Sequence, residues 1–252
     1  MALRRIIGSI FVRERLAVQC IRFRQYLPIG DPAVIAEAFD HWQADEILLA
    51  DITASGAGRL LDTDLLGRTT RSLRTPVTAG GGVRSVKDVE SLLRNGADRI
   101  FINTAARRDA GFVNEASRTF GSQCIVVWVD VCRTPAGLAV YDHLAEETTS
   151  KPAADWMREL EDRGAGEIIL HAVDGDGAMS GFDLELAALS SHVHIPVIIS
   201  GGASRSEDFA DVFRSSPVSG ACAGNLFSHK ECAISEVKAH LMGLRFDIRH
   251  LS

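Results

Sequence analysis

Cysteine is sparse and scattered in this chain. Cys20, Cys124, Cys132, Cys222 and Cys232 form no C-x-x-C pair and no zinc-like spacing. That argues against a structural zinc site, and an odd, dispersed set reads as reduced thiols of a cytosolic protein. There is no long basic run and the formal net charge is −6, so nucleic acid is not an expected partner. No apolar run reaches the length of a bilayer span, so no membrane partner is expected. The stretch Met1-Ala2-Leu3-Arg4-Arg5-Ile6-Ile7 is too short for the apolar core of a signal peptide, and a cytoplasmic location follows as the expectation. Nothing in the chain looks like a linker. With 252 residues, 46% hydrophobic and 24% charged, it suits one domain over residues 1–252.

What is present is alternation. Short apolar runs at 6–12, 47–51, 77–79, 100–103, 125–130, 168–171, 197–200 and 219–223 predict strands. Most are rich in Ile, Val and Leu without polar alternation, as strands covered on both faces should be. Helical patterns lie between them, among them 33–42, 86–94, 112–120, 153–163 and 207–213. Eight strand–helix units predict an α/β fold, a closed (β/α)8 barrel of the TIM type. An open doubly wound sheet is the alternative. Glu46-Ile47-Leu48-Leu49 recurs as Glu167-Ile168-Ile169-Leu170, and Gly81-Gly82-Val83-Arg84-Ser85 loosely as Gly202-Ala203-Ser204-Arg205-Ser206, both at an offset of 121. One shared offset predicts two similar (β/α)4 halves.

Gly80-Gly81-Gly82 follows the third predicted strand, and Asn103-Thr104-Ala105 ends the fourth. Ser200-Gly201-Gly202-Ala203 and Ala223-Gly224-Asn225 repeat the arrangement after strands seven and eight. Glycine lets backbone N–H groups approach an anion, and barrel loops seven and eight commonly hold phosphate. The bland reading is that these glycines only make tight turns. Two matched loops half a barrel apart suit an elongated small molecule with a phosphoryl group at each end.

These stretches, with Gly30-Asp31-Pro32, Asp51-Ile52-Thr53-Ala54-Ser55, Phe120-Gly121-Ser122-Gln123, Gly164-Ala165-Gly166 and Asp174-Gly175-Asp176-Gly177, resemble the HisF family over essentially the whole chain. HisF is the cyclase subunit of imidazole glycerol phosphate synthase. The resemblance implies a HisH-type glutaminase partner and ammonia passing through the barrel to its C-terminal face. It implies one phosphate site at Gly81, Gly82, Asn103 and Thr104. A second is implied at Asp176, Gly177, Gly202, Ala203, Gly224 and Asn225. Arg5, Glu46, Arg99 and Glu167 match in charge type the family's ammonia gate, a ring of two cations and two anions that can satisfy its charges while blocking water. Ordinary charge pairing at that face is the competing reading. Asp98 and Gln123 match the glutaminase-facing surface.

Asp130 stands at the family's acid–base position on the fifth strand, where two carboxylates on opposite strands can divide proton transfer. Its expected partner on strand one is Phe11, which carries no proton, and the nearby lysine position is Gln19. Leu144-Ala145 replaces a small polar and glycine pair. Losing one general acid or base costs ~10²–10⁴ in rate. The altered first strand and the basic, aromatic loop Arg22-Phe23-Arg24-Gln25-Tyr26-Leu27-Pro28 resemble HisF-like paralogues found beside surface-polysaccharide genes. Those paralogues look like ammonia-delivery subunits for amidination of a sugar, with a separate ligase-type partner. The alternatives are a competent cyclase of histidine biosynthesis and a phosphate-binding scaffold.

Gly220-Ala221-Cys222-Ala223-Gly224 spells a glutaminase elbow, but Cys222 falls inside a predicted strand rather than on a strand-to-helix turn. His192 and His194 have no acidic or thiol companion at ligand spacing, so no metal is expected, and no cofactor is expected. His171, at the end of the sixth strand, is the histidine singled out for chemistry. Trp42, Trp128 and Trp156 are expected to pack.

Overall fold

The computed structural model describes residues 3–249. Met1 and Ala2, which open the N-terminal apolar stretch, lie outside the described residues. The first half of the chain begins with β1 (Arg5–Arg13), β2 (Leu16–Ile21), β3 (Gln25–Gly30) and α1 (Pro32–His41). It continues with β4 (Glu46–Asp51), α2 (Thr63–Thr70), β5 (Val77–Gly80), α3 (Val86–Arg94), β6 (Arg99–Ile102), α4 (Thr104–Arg108) and α5 (Gly111–Phe120). The second half holds β7 (Ile125–Thr134), β8 (Gly137–Asp142), β9 (Glu147–Pro152), α6 (Ala153–Asp162), β10 (Glu167–Ala172) and α7 (Leu184–Ala188). It ends with β11 (Val197–Ser200), α8 (Ser206–Ser215), β12 (Gly220–Ala223), α9 (Asn225–His229) and α10 (Ala233–Gly243).

Eight of these strands close a parallel ring. β1 pairs β4, and the ladder runs on through β5, β6, β7, β10, β11 and β12 before β12 pairs β1. The predicted barrel is therefore present, and an open sheet is excluded. Alternate residues along each strand point to opposite faces. Ile6, Ile10, Ile47, Leu49, Val127, Val129, Ile168 and Leu170 belong to the large outer core beneath the helices, whereas Ile7, Leu48, Phe101, Val126, Trp128, Ile169, Ile198 and Cys222 form a separate inner cluster. Both faces of every barrel strand are thus dry, which is why the sequence shows apolar runs instead of alternation. At about 25 cal/mol per Å² of buried apolar surface, these two cores dominate the folding free energy.

Local signals fix the helices. Asp31 caps α1 by accepting from Ala33 N at 2.9 Å, with Pro32 in the first helical turn. Ser85 caps α3 and Asp183 caps α7 in the same way. Gly8 on the outer face of β1 lets Phe39 of α1 close on the strand: a Cβ there would lie 2.4 Å from the ring.

The reading of a loop after the first barrel strand, and of a fifth strand that ends at Asp130, is corrected. β1 runs past the ring into an antiparallel hairpin with β2 and β3, and β7 does the same with β8 and β9. Asp130 therefore lies within a strand that continues to Thr134 and does not end it. The segment Arg22–Pro28, read from the sequence as a basic, aromatic loop, is the hairpin turn and the first part of β3.

Candidate functional site

The N-terminal end of the barrel is closed by charge. Arg5, Glu46, Arg99 and Glu167 are the first residues of β1, β4, β6 and β10. Arg5 Nη1 donates to Glu46 Oε2 at 2.8 Å and its Nη2 to Glu167 Oε1, while Arg99 bridges Glu46 and Glu167. The four side chains form an unbroken ring. Both glutamates are 3% exposed; the arginines are 22–25% exposed and face outward from them. Burial alone would lower the Arg99 guanidinium, but the two carboxylates outweigh it and hold its pKa above the ordinary value. Asp98 and Gln123 are exposed beside this end. Asp98 also accepts from Val77 N at 2.7 Å, tying the start of β5 to β6.

Above the ring the interior is filled. Trp128 lies 5.3 Å from Phe101 and 5.2 Å from His171 between ring centroids, and Phe11 lies 6.1 Å from Trp128 and 6.2 Å from His171. Gly80 makes room for Phe101, whose ring would be 2.8 Å from a Cβ. Trp128 thus packs as expected, but its Nε1 also donates to Asp130 Oδ1 at 2.8 Å. Trp156 is 4% exposed in the outer core, and Trp42 packs partly buried against it.

The C-terminal rim brings together the rest. Asp130 is 2% exposed and accepts from Trp128, from Asn103 Nδ2 at 2.8 Å and from His143 Nδ1 at 3.2 Å. Burial pushes its carboxyl up, but the His143 contact, the His171 ring and Asn103 together pull it below the usual range. His143 Nε2 is 3.4 Å from Thr104 Oγ1. Phe11 stands where symmetry places the counterpart of Asp130: Ile7 pairs Glu46 and Phe11 pairs Ala50, as Val126 pairs Glu167 and Asp130 pairs His171. Gln19 is buried within β2.

Gly81 and Gly202 lie on the same rim, as the sequence repeat requires, and so do Gly82, Asn103, Thr104, Ala203, Gly224 and Asn225. The glycine loops end before their helices rather than opening them directly: α3 starts after its Ser85 cap. A Cβ on Gly82 would lie 1.7 Å from Arg59 O, and one on Gly202 would lie 2.1 Å from Gly181 O. Close approach of the protein's own loops therefore demands glycine at both places, and each has a positive φ, +69° and +98°. Arg59 also clamps Asp51, donating to Oδ2 at 2.6 Å.

In the second half, residues expected around a phosphate grip the β2–β3 hairpin, one by its side chain and one by its main chain. Asn225 Nδ2 donates to Cys20 O at 2.9 Å, and Arg22 N donates to Asp176 O at 2.8 Å. Asp176 is buried, which raises its carboxyl despite His171. A Cβ on Gly177 would meet Cys20 O at 2.3 Å. His171 Nδ1 faces Ser200 Oγ at 3.0 Å and its Nε2 lies 3.7 Å from Asp176 Oδ1.

Two cavities open at the rim, and Phe11 lines both. The smaller is bounded by His171, Ser200, Gly202, Ala203, Gly224 and Asn225. The larger, about 610 Å³, carries Phe23, Tyr141, His143, Asn103 and Asp130 with Arg22 and Arg24 at its edge. Sequence reading missed His143 and Arg59, which reach the site only because the second hairpin and the 53–61 loop fold back over the ring; Phe23 lies in the basic, aromatic segment it did single out.

Cys222 sits inside β12, fully buried, and its thiol is pushed up to about 12 by burial. No cluster able to hold a metal ion occurs among the described residues. No helix among them is long and apolar enough to cross a membrane.

Fold and site define a (β/α)8 protein of two similar half-barrels, closed by an ionic ring at one end and with cavities at the other. The family profile described as "Histidine biosynthesis protein" matches residues 5–233, and the chain belongs to that family. Its relatives are of the HisF type. "Imidazole glycerol phosphate synthase subunit HisF" of Halalkalibacterium halodurans is 40% identical over 244 residues, covering 96% of this chain and 97% of the relative. The proteins of the same name from Bacillus licheniformis and Geobacillus thermodenitrificans are 38% and 39% identical over 252 residues, covering 99% of this chain and all of each relative.

Proposed function

We propose that this chain is a HisF-type synthase subunit that takes ammonia from a HisH-type glutaminase and serves amidination of a sugar, without closing an imidazole ring itself. The observation that carries this reading is Phe11, at the register position where the opposite half has Asp130. A phenyl ring neither gives nor takes a proton, so one half of the acid–base division is gone. The same ring lines both rim cavities, one bounded by Gly81 and the other by Gly202.

The glutaminase docks on the face bearing Asp98 and Gln123, and the ring of Arg5, Glu46, Arg99 and Glu167 is its ammonia gate. The phosphorylated ligand is held by Gly81, Gly82, Asn103 and Thr104 or by main-chain groups of Gly202, Ala203, Gly224 and Asn225. A sugar-modifying ligase completes the chemistry. Ammonia crossing the barrel requires the Phe11, Phe101 and Trp128 rings to part, so transfer is gated above the charged ring as well as at it.

The second reading, imidazole glycerol phosphate synthesis itself, is favoured by the full-length likeness to HisF proteins and by Asp130. Purified protein with ammonium salt and the ribulosyl bisphosphate substrate of that reaction separates the two. No imidazole product supports amidination; steady turnover makes the chain a cyclase. Failure to form a complex with a HisH-type glutaminase in sedimentation would remove the ammonia supply from either.

A further inference from the structure

Asp130 borders the larger cavity but shows it almost no surface. A carboxylate has about four lone-pair sites, and three donors already occupy this one: Trp128 Nε1, Asn103 Nδ2 and His143 Nδ1. It is 2% exposed. His143 lines the same cavity with far more of its surface. Its side chain is 18% exposed, lines the larger cavity and carries its second ring nitrogen to 3.4 Å from Thr104 Oγ1. The ring is held from three sides. β8 folds back on β7 with Val140 opposite Val131, which returns residue 143 over residue 130. Asp142 accepts from the N–H groups of Leu144 and Ala145 at 2.9 and 3.2 Å, fixing the turn. Arg107 of α4 pairs with the same Asp142 carboxylate at 2.6 Å, tying that turn to the helix that begins with Thr104.

We infer that His143 is the proton-transfer group of the mouth, and that Asp130 is a positioning residue acting through it. An imidazole nitrogen facing a carboxylate is favourable only as an N–H donor, so the neutral ring carries its proton on Nδ1 and its lone pair on Nε2, toward the cavity. This is the orienting logic of a carboxylate–histidine pair in acyl transfer, where the buried acid fixes the tautomer and balances the imidazolium without itself taking the proton. The catalytic step rests on the reading that ammonia arrives at this rim. Its lone pair forms a bond to an electrophilic carbon of the ligand while the carbon–oxygen π pair moves onto oxygen. The nitrogen of the adduct is then positive. Nε2 takes one of its protons, the imidazolium is held against the Asp130 carboxylate, and the proton is returned to the new oxyanion. The product is a neutral tetrahedral adduct and the ring is restored.

The test needs neither ammonia nor ligand, so it stands or falls apart from the amidination reading. The full chain is labelled with 15N-histidine and long-range proton–nitrogen spectra are recorded above the histidine titration range, with His143→Gln giving the assignment. The expected spectrum of the unaltered protein shows His143 protonated at Nδ1 and bare at Nε2. Asp130→Asn is expected to lose that signature and to slow carbethoxylation of His143 by diethyl pyrocarbonate at least tenfold. A proton on Nε2 in the unaltered protein overturns the inference even if Asp130→Asn does not fold. An Asp130→Asn protein that folds and changes neither readout overturns it as well.

Discussion

At position 11 a phenyl ring takes up the space that Asp130 occupies on the opposite strand, and the two surroundings are already different. Asp130 has three hydrogen-bond donors around it; Phe11 has Trp128 and His171 edges. The depressed Asp130 carboxyl has a consequence for stability. A folded-state pKa below the unfolded value of about 3.9 contributes stability that is present above that pH and lost as pH falls through the folded value. Urea unfolding of the unaltered protein and Asp130→Asn should therefore differ by about 1–3 kcal/mol at neutral pH. That difference should shrink as the pH is lowered below about 4. A difference that does not change with pH would mean that Asp130 is not ionised in the folded protein. Asp130 was legible in the sequence because it follows an apolar run in a barrel strand. His143 was not, because its approach depends on the β7–β8 hairpin register and nothing local marks it.

Among the elements, the hairpins show where pattern reading runs out. β3 is exposed along most of its length, so it carries no hydrophobic alternation, and its turn is held by contacts to Asp176 from the far half of the barrel. The eight ring strands, apolar on both faces, were legible to within a few residues. α10 supplies a separate test. Its Lys238 is 1% exposed and pairs with Asp45 at 2.6 Å, and Asp45 also accepts from Ile6 N at 2.8 Å. Lys238→Met leaves a buried carboxylate without its cation and should cost about 3–5 kcal/mol, read from the urea midpoint. Adding Asp45→Asn should restore a large part of it. If the single variant costs under about 1 kcal/mol, the pair does not anchor α10 to the base of the barrel.

On the scale of the molecule, duplication explains both what the halves share and what separates them. Both have a glycine loop that fits against a neighbouring loop, a hairpin after the first strand and a glutamate opening the second strand. The arginines of the ring both come from the first half, so the ring is a product of closure and not of repetition. Arg99→Met leaves Glu46 and Glu167 sharing one cation and should destabilise the fold by about 3–5 kcal/mol. Glu46→Gln in the same background should recover part of that loss in thermal unfolding. Independent, additive effects of the two changes would show that the four charges do not act as a unit.

Restoring what position 11 lacks gives the most direct measurement. The Phe11→Asp, Gln19→Lys protein is compared with the unaltered chain for ammonium-dependent conversion of the ribulosyl bisphosphate to imidazole product. The account predicts no product from the unaltered chain and measurable turnover from the variant, a gain on the order of 10² or more as the second acid–base group returns. Turnover by the unaltered chain that the two substitutions leave unchanged would contradict it.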